Sequence, residues 1–125
     1  MTFTEAIKSG FSNYVNFTGR SSRSAFWYWV LFAFIVGIAA DIVDISTASD
    51  DLMSSSFLAS RLWSLVTLLP NLAVGARRLH DTGRSGFWLF LSLLPIIGII
   101  VLIVWWASKG TSGPNRYGAD PLATA

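Results

Sequence analysis

The chain has 125 residues, of which 53% are hydrophobic and 13% charged, with a formal net charge of +2; an average soluble domain carries about 25% charged residues. A mean hydropathy of +0.55 in so short a chain leaves too little polar surface for an ordinary globular core, which excludes disorder and points to an integral membrane protein. No cysteine and a single histidine exclude disulfide frameworks, thiolate metal sites and two-histidine motifs, and the modest basic excess, grouped beside apolar runs, argues against a nucleic-acid binder.

The first predicted element is amphipathic. Phe3, Ile7, Phe11 and Val15 form one apolar stripe, and Thr2 with Glu5 has capping-box spacing. The segment 2–17 is too polar to span a membrane and is expected either to lie in the cytoplasmic interface or to fold against cytoplasmic loops. The first apolar run begins only near Phe26, after a polar segment, and no clear A-x-A cleavage site follows it, so it is expected to remain as an anchor.

Three runs then have the length of a span, about 20 residues at 1.5 Å each. Residues 26–45 end in Asp41 and Asp44; residues 57–76 contain Arg61, Pro70 and Asn71; residues 86–107 carry no charge and only Pro95 and Gly98 as breakers. The fold class expected is an all-α membrane protein: three transmembrane helices preceded by a short amphipathic interfacial helix, one domain over 1–125, with a polar tail at 108–125 forming turns at most.

Orientation follows from the basic residues. Lys8, Arg20, Arg23, Arg77, Arg78 and Arg84 fall on one side, against Arg61, Lys109 and Arg116 on the other with Asp41, Asp44, Asp50, Asp51 and Asp120. This predicts a cytoplasmic amino terminus and an external tail. Trp88 and Trp105, 17 residues apart or roughly 26 Å of helix, favour one span with a tryptophan at each interface; Trp27 and Trp29 then mark the inner interface and Trp63 the outer one. The alternative is a re-entrant hairpin at Leu94 to Gly98 that returns the tail to the cytoplasm.

The stretches NFTGRSSRSAFWYWVLF (16–32), GARRLHDTGRSGFWLFLSLLPIIG (75–98) and GPNRYGADP (113–121) resemble the domain of unknown function 805 family of small bacterial inner-membrane proteins. RRLHD before a short turn and an aromatic-led apolar run is the most specific element, whereas Asp41 to Ser56 departs from the pattern. The resemblance implies a three-helix, multi-pass inner-membrane protein and no established activity.

Two charged constellations carry the functional expectations. Arg20, Arg23, Arg77, Arg78, His80, Asp81 and Arg84 share one side, and guanidinium forks converging at a headgroup layer would hold an anionic lipid or a phosphorylated solute. Positive-inside flanking accounts for the arginines without a ligand, but not for His80 and Asp81. Asp41, Asp44 and Arg61, near the outer helix ends, are expected to form a structural ion pair. Pro70 with Asn71, and Pro95 with Gly98, read as kinks, or as helix breaks that open carbonyls to a substrate. A Ser85, His80, Asp81 relay has little support, since adjacent residues rarely reach that geometry.

The function expected is a small membrane binding or accessory protein that engages anionic lipid or a membrane partner, without cofactor, metal or nucleic acid. A small oligomeric transporter or channel is the alternative, and a membrane enzyme acting on a lipid headgroup the third reading.

Overall fold

A computed structural model describes residues 2–46 and 58–122; Asp50, Asp51 and Phe57 lie outside the described residues. Helix α1 spans Phe3–Ser12 and opens with the expected capping box: Thr2 Oγ1 accepts from Glu5 N, and Glu5 Oε1 accepts from Thr2 N, both at 3.2 Å. Its apolar stripe packs on α2, Arg23–Ser46. Phe3 meets Tyr28 edge to face at 5.9 Å, and Phe11 meets Trp29 at 5.2 Å. Gly10 lets the two helices approach, because a Cβ there would collide with the Trp29 ring. Trp29 is therefore core, with 0% exposure and its ring N–H donating to Asn71 Oδ1 at 2.8 Å. Trp63 likewise donates to the Ala33 carbonyl at 3.0 Å. Neither ring is the free interfacial marker that the sequence suggests, since each indole N–H is bonded to a neighbouring helix.

Helices α2 and α3, Leu58–Asp81, have 24 residues each, about 36 Å of helix and enough to cross a hydrocarbon core of about 30 Å. Both are apolar enough to do so. Their outward faces show Phe34 at 65% and Leu65 at 69% exposure, a surface stable only against lipid or another apolar surface. Helix α3 runs on past the expected residue 76, so Arg77 to Asp81 form its last turns. It closes on Gly83 at φ 81°, with Gly83 N donating to His80 O and Arg84 N to Leu79 O, a Schellman arrangement that only a residue without Cβ adopts cheaply.

One breaker and one charge inside the predicted spans find local explanations. Pro70 lacks the N–H that would bond the Val66 carbonyl, and the Tyr14 hydroxyl, reaching across from the segment after α1, donates to that carbonyl instead. Asp44 turns to the start of α3, where its carboxylate accepts from Ala59 N at 2.8 Å and Ser60 N at 3.1 Å and satisfies amides that the helix leaves open. The expected pair of Arg61 with Asp41 or Asp44 is not formed at contact distance: among the described residues the ion pairs are Arg20–Asp81 and Arg78–Asp81.

The third apolar run departs furthest from expectation. Residues 86–107 are not one helix but a 3-10 segment, Gly86–Leu93, and α4, Ile97–Ala107, joined by a tight turn. Ser85 caps the first leg, its Oγ accepting from Phe87 N at 3.2 Å. Pro95 and Ile96, at φ 68°, reverse the chain, and Gly98 passes so close to the Leu91 carbonyl that a Cβ would collide with it. The legs lie side by side, with Trp88 and Trp105 at 5.6 Å between ring centroids rather than a membrane thickness apart. Small residues of α3 receive the hairpin: a Cβ on Gly75 would stand 3.3 Å from Leu89 and 3.5 Å from Trp106, whose ring N–H donates to Gly75 O at 3.3 Å. The tail therefore returns to the end of the molecule that holds Arg77 and Arg78.

Candidate functional site

At that end the α3 terminus, the strap from Asn13 to Ser22, the end of α4 and the tail are tied by Arg20 and Arg78 around one carboxylate, with Arg77 holding the strap. Asp81 accepts from Arg20 Nε at 2.9 Å and from Arg78 Nη1. Arg78, with 0% exposure, also donates from Nε to Trp106 O at 2.9 Å, from Nη1 to Ser21 O at 3.2 Å and from Nη2 to Ser108 O. It thus serves as the C-cap of α4, supplying donors and positive charge to carbonyls that a helix end leaves open. Arg23 adds a bond to Ala107 O at 3.4 Å.

Arg20 binds the tail, donating to Gly113 O at 2.7 Å, Thr111 O at 2.5 Å and Gly118 O at 3.3 Å. Thr111 N returns a bond to Asp81 O at 2.7 Å, and Asn115 Nδ2 donates to His80 O at 3.0 Å. Asp120 accepts from Leu122 N and Gly113 N, each at 2.9 Å, and those two bonds hold its carboxyl below the ordinary value of 3.8. Arg77 donates from Nε to Ser21 Oγ at 3.1 Å and from Nη1 to Asn13 O at 3.1 Å and Asn16 O at 2.7 Å.

Of the predicted cluster only Arg20, Arg78 and Asp81 meet directly, and the remaining bonds of its arginines go to protein acceptors. Arg78 presents no edge to a headgroup, and Arg84 lies over the Trp105 ring at 4.5 Å instead of beside Arg78. No relay links Ser85, His80 and Asp81 either: His80 Nδ1 bonds Gly19 O at 2.9 Å while Asp81 faces arginines. A carbonyl partner makes Nδ1 the protonated nitrogen and leaves Nε2 as the other polar atom of the ring. Tyr117 stacks on the imidazole at 4.1 Å and 4°, with Arg116 4.8 Å over the Tyr117 ring. Sequence reasoning missed Tyr117, Asn115 and the tail carbonyls; the only available signal was the GPNRYGADP string itself.

Two cavities adjoin this knot. One, about 620 Å³, runs between α3 and the 3-10 segment, with apolar walls that include Leu72, Ala76, Leu89 and Leu93 and a polar end at His80, Ser85 and Tyr117. Gly86 keeps that end open, since a Cβ there would stand 3.1 Å from Ala76 Cβ and 3.4 Å from His80 Nε2. The other, about 660 Å³, has polar and apolar surface in about equal parts and lies between α1, the strap and residues 121 and 122. Among the described residues no group of three or more acidic, histidine or cysteine side chains is arranged to hold a metal.

Comparison with known proteins places these features in a lineage. Residues 14–119 match the family described as "Protein of unknown function (DUF805)". The chain is 44% identical over 109 residues to the inner membrane protein YhaI of Escherichia coli strain K12, covering 87% of this chain and 88% of that protein. It is 36% identical over 113 residues to the inner membrane protein YhaH of the same strain, covering 87% and 89%. It is 34% identical over 131 residues to the uncharacterized protein YiiR, covering 84% and 85%. No solved structure matches. A match over nearly the whole chain, to proteins named for the inner membrane, agrees with the lipid-compatible faces of α2 and α3, and the chain belongs to the DUF805 family.

Proposed function

We propose that the chain is a multi-pass inner-membrane protein that retains an anionic lipid at its cytoplasmic face, with one acyl chain in the groove between α3 and the 3-10 segment. In this reading α2 and α3 cross the membrane, and the pair of legs from Gly86 to Ala107 enters and leaves from the cytoplasmic side. An 11-residue α4 is about 16 Å long and cannot cross alone. With the tail returned, Lys109 and Arg116 join Lys8, Arg20, Arg23, Arg77, Arg78 and Arg84, so eight of the nine basic residues share the cytoplasmic side and Arg61 alone lies opposite. That asymmetry supports an amino terminus and a tail both in the cytoplasm.

The observation that carries the lipid reading is the groove's composition: hydrocarbon walls ending at His80 and Ser85, with Arg116 stacked on the adjacent Tyr117. Such a site matches a chain with a polar, negatively charged head, each nearby basic residue contributing about 1 kcal/mol at a headgroup layer. Native mass spectrometry of the detergent-purified protein tests it. Leu72→Trp should fill the groove and strip the retained lipid, and Arg116→Gln should reduce retention of anionic over zwitterionic lipid. Equal lipid content in wild type and both variants would refute the reading.

A further inference from the structure

The polar cavity contains a charge that the protein does not neutralise. Arg77 is 4% exposed, yet both ion pairs among the described residues are made by Asp81 with other arginines. A buried guanidinium with no counter-charge is costly unless an anion reaches it. Its Nε and Nη1 are bonded to the strap, while Nη2 has no hydrogen-bond partner among the described residues. Every fully enclosed side-chain polar atom of those residues does have a partner, so Nη2 is not fully enclosed, and Arg77 is one of the residues that line the cavity.

The walls complete a donor set. The polar face of α1 contributes the Ser9 hydroxyl and the strap that of Ser22, while Thr18 donates to Asn16 Oδ1 and Arg20 is committed to Asp81 and the tail. Against these stands one carboxylate, Glu5, whose own role is to cap α1. This polar face is separate from the stripe of Phe3 and Phe11 that packs on α2, so the cavity belongs to the polar cap and is separate from the acyl groove.

We propose that this cavity binds a phosphate group, with Arg77 Nη2 as its charged donor and hydroxyls of the α1 and strap walls as neutral donors. The volume, about 660 Å³, admits the phosphate together with the small polar body that carries it. A charge-assisted bond to guanidinium is the strong contact of such a site, and hydroxyls satisfy the remaining oxygens.

The test uses the full-length protein in non-ionic detergent and phosphate-free buffer, titrated with inorganic phosphate by calorimetry at fixed ionic strength. Saturable binding is expected. Arg77 also ties the strap, so the decisive variants leave its bonds intact. Ser9→Asp brings a carboxylate to the cavity wall and should weaken binding by about tenfold or more, because like charges meet. Glu5→Gln keeps a capping residue, removes the negative charge and should tighten binding. Glycerol phosphate and phosphatidylglycerol in matched micelles then separate the sources: binding of glycerol phosphate assigns a soluble ligand, and binding of the lipid alone assigns a headgroup. Absence of saturable binding by all three probes, or binding indifferent to Ser9→Asp and Glu5→Gln, overturns the proposal.

Discussion

Replacing Asp81 by asparagine removes the one negative charge between two buried guanidiniums. In the native arrangement Oδ1 takes Arg20 Nε at 2.9 Å, Oδ2 takes Arg78 Nη1, and the three side chains are 1%, 6% and 0% exposed for Arg20, Asp81 and Arg78. An amide keeps one acceptor and turns an NH2 toward a donor, so one charge-assisted bond is lost outright, about 1.5–3 kcal/mol. Both cations are left without a counter-ion, and breaking a buried pair in this way costs about 3–5 kcal/mol in total, a large share of the roughly 5–15 kcal/mol that stabilises a domain. Titration with a denaturing detergent in mixed micelles, followed through the six tryptophans, measures the loss. Trypsin gives a second readout, because the variant loosens the tail and should expose the bonds after Lys109 and Arg116. The cost of Arg20→Gln should shrink in the Asp81→Asn background, since the pair is already broken. A loss under about 1 kcal/mol with an unchanged tryptic pattern would show that the carboxylate does not organise the knot.

Tyr14→Phe should cost about 1 kcal/mol by orphaning the Val66 carbonyl, and most of that cost should vanish in Pro70→Ala, where residue 70 regains an N–H for the same carbonyl; equal costs in the two backgrounds, measured by the same titration, would sink the assignment. Asp120, with its carboxyl held low by the Leu122 and Gly113 amides, should contribute to tail docking fully above the ordinary value of 3.8 and lose that contribution as pH falls through its lower folded value. Hydrogen exchange at Gly113, corrected for the intrinsic rate, should therefore quicken on acidification in wild type and show no such titration in Asp120→Asn.

Features set by near neighbours were legible in the sequence. Thr2 and Glu5 announce the start of α1 because a capping box is closed within four residues, and the stripe from Phe3 to Phe11 reports which face packs. The presence of α2 and α3 follows from their apolar character, but the last turn of α3, Arg77 to Asp81, is polar and lies beyond the expected end. The third run misleads because hydropathy counts residues and not continuity: an uncharged run of 22 residues serves equally as one span or as two short legs. The choice depended on Pro95, Ile96 and Gly98 acting together, and on acceptors far along the chain. Once the hairpin brings the carbonyls of Trp106 and Ser108 beside α3, Arg78 can cap them, a partnership 28 to 30 residues apart that no local pattern contains. The expectation of headgroup contacts for the arginines fails for the same reason. Their number and flanking position signalled a cytoplasmic side, but the acceptors that occupy them come from the strap and tail.

The central claim is that the chain turns back at Leu94 to Gly98 and docks its tail on the arginine knot, so that the amino terminus and the tail share one side of the membrane. The chain contains no cysteine, which makes single-cysteine labelling with a membrane-impermeant maleimide direct. Ser46→Cys, at the far end of α2, should react in intact spheroplasts, whereas Leu122→Cys should react only in inverted vesicles. Labelling of Leu122→Cys from outside intact spheroplasts would mean that residues 86–107 cross the membrane once, and would contradict the account.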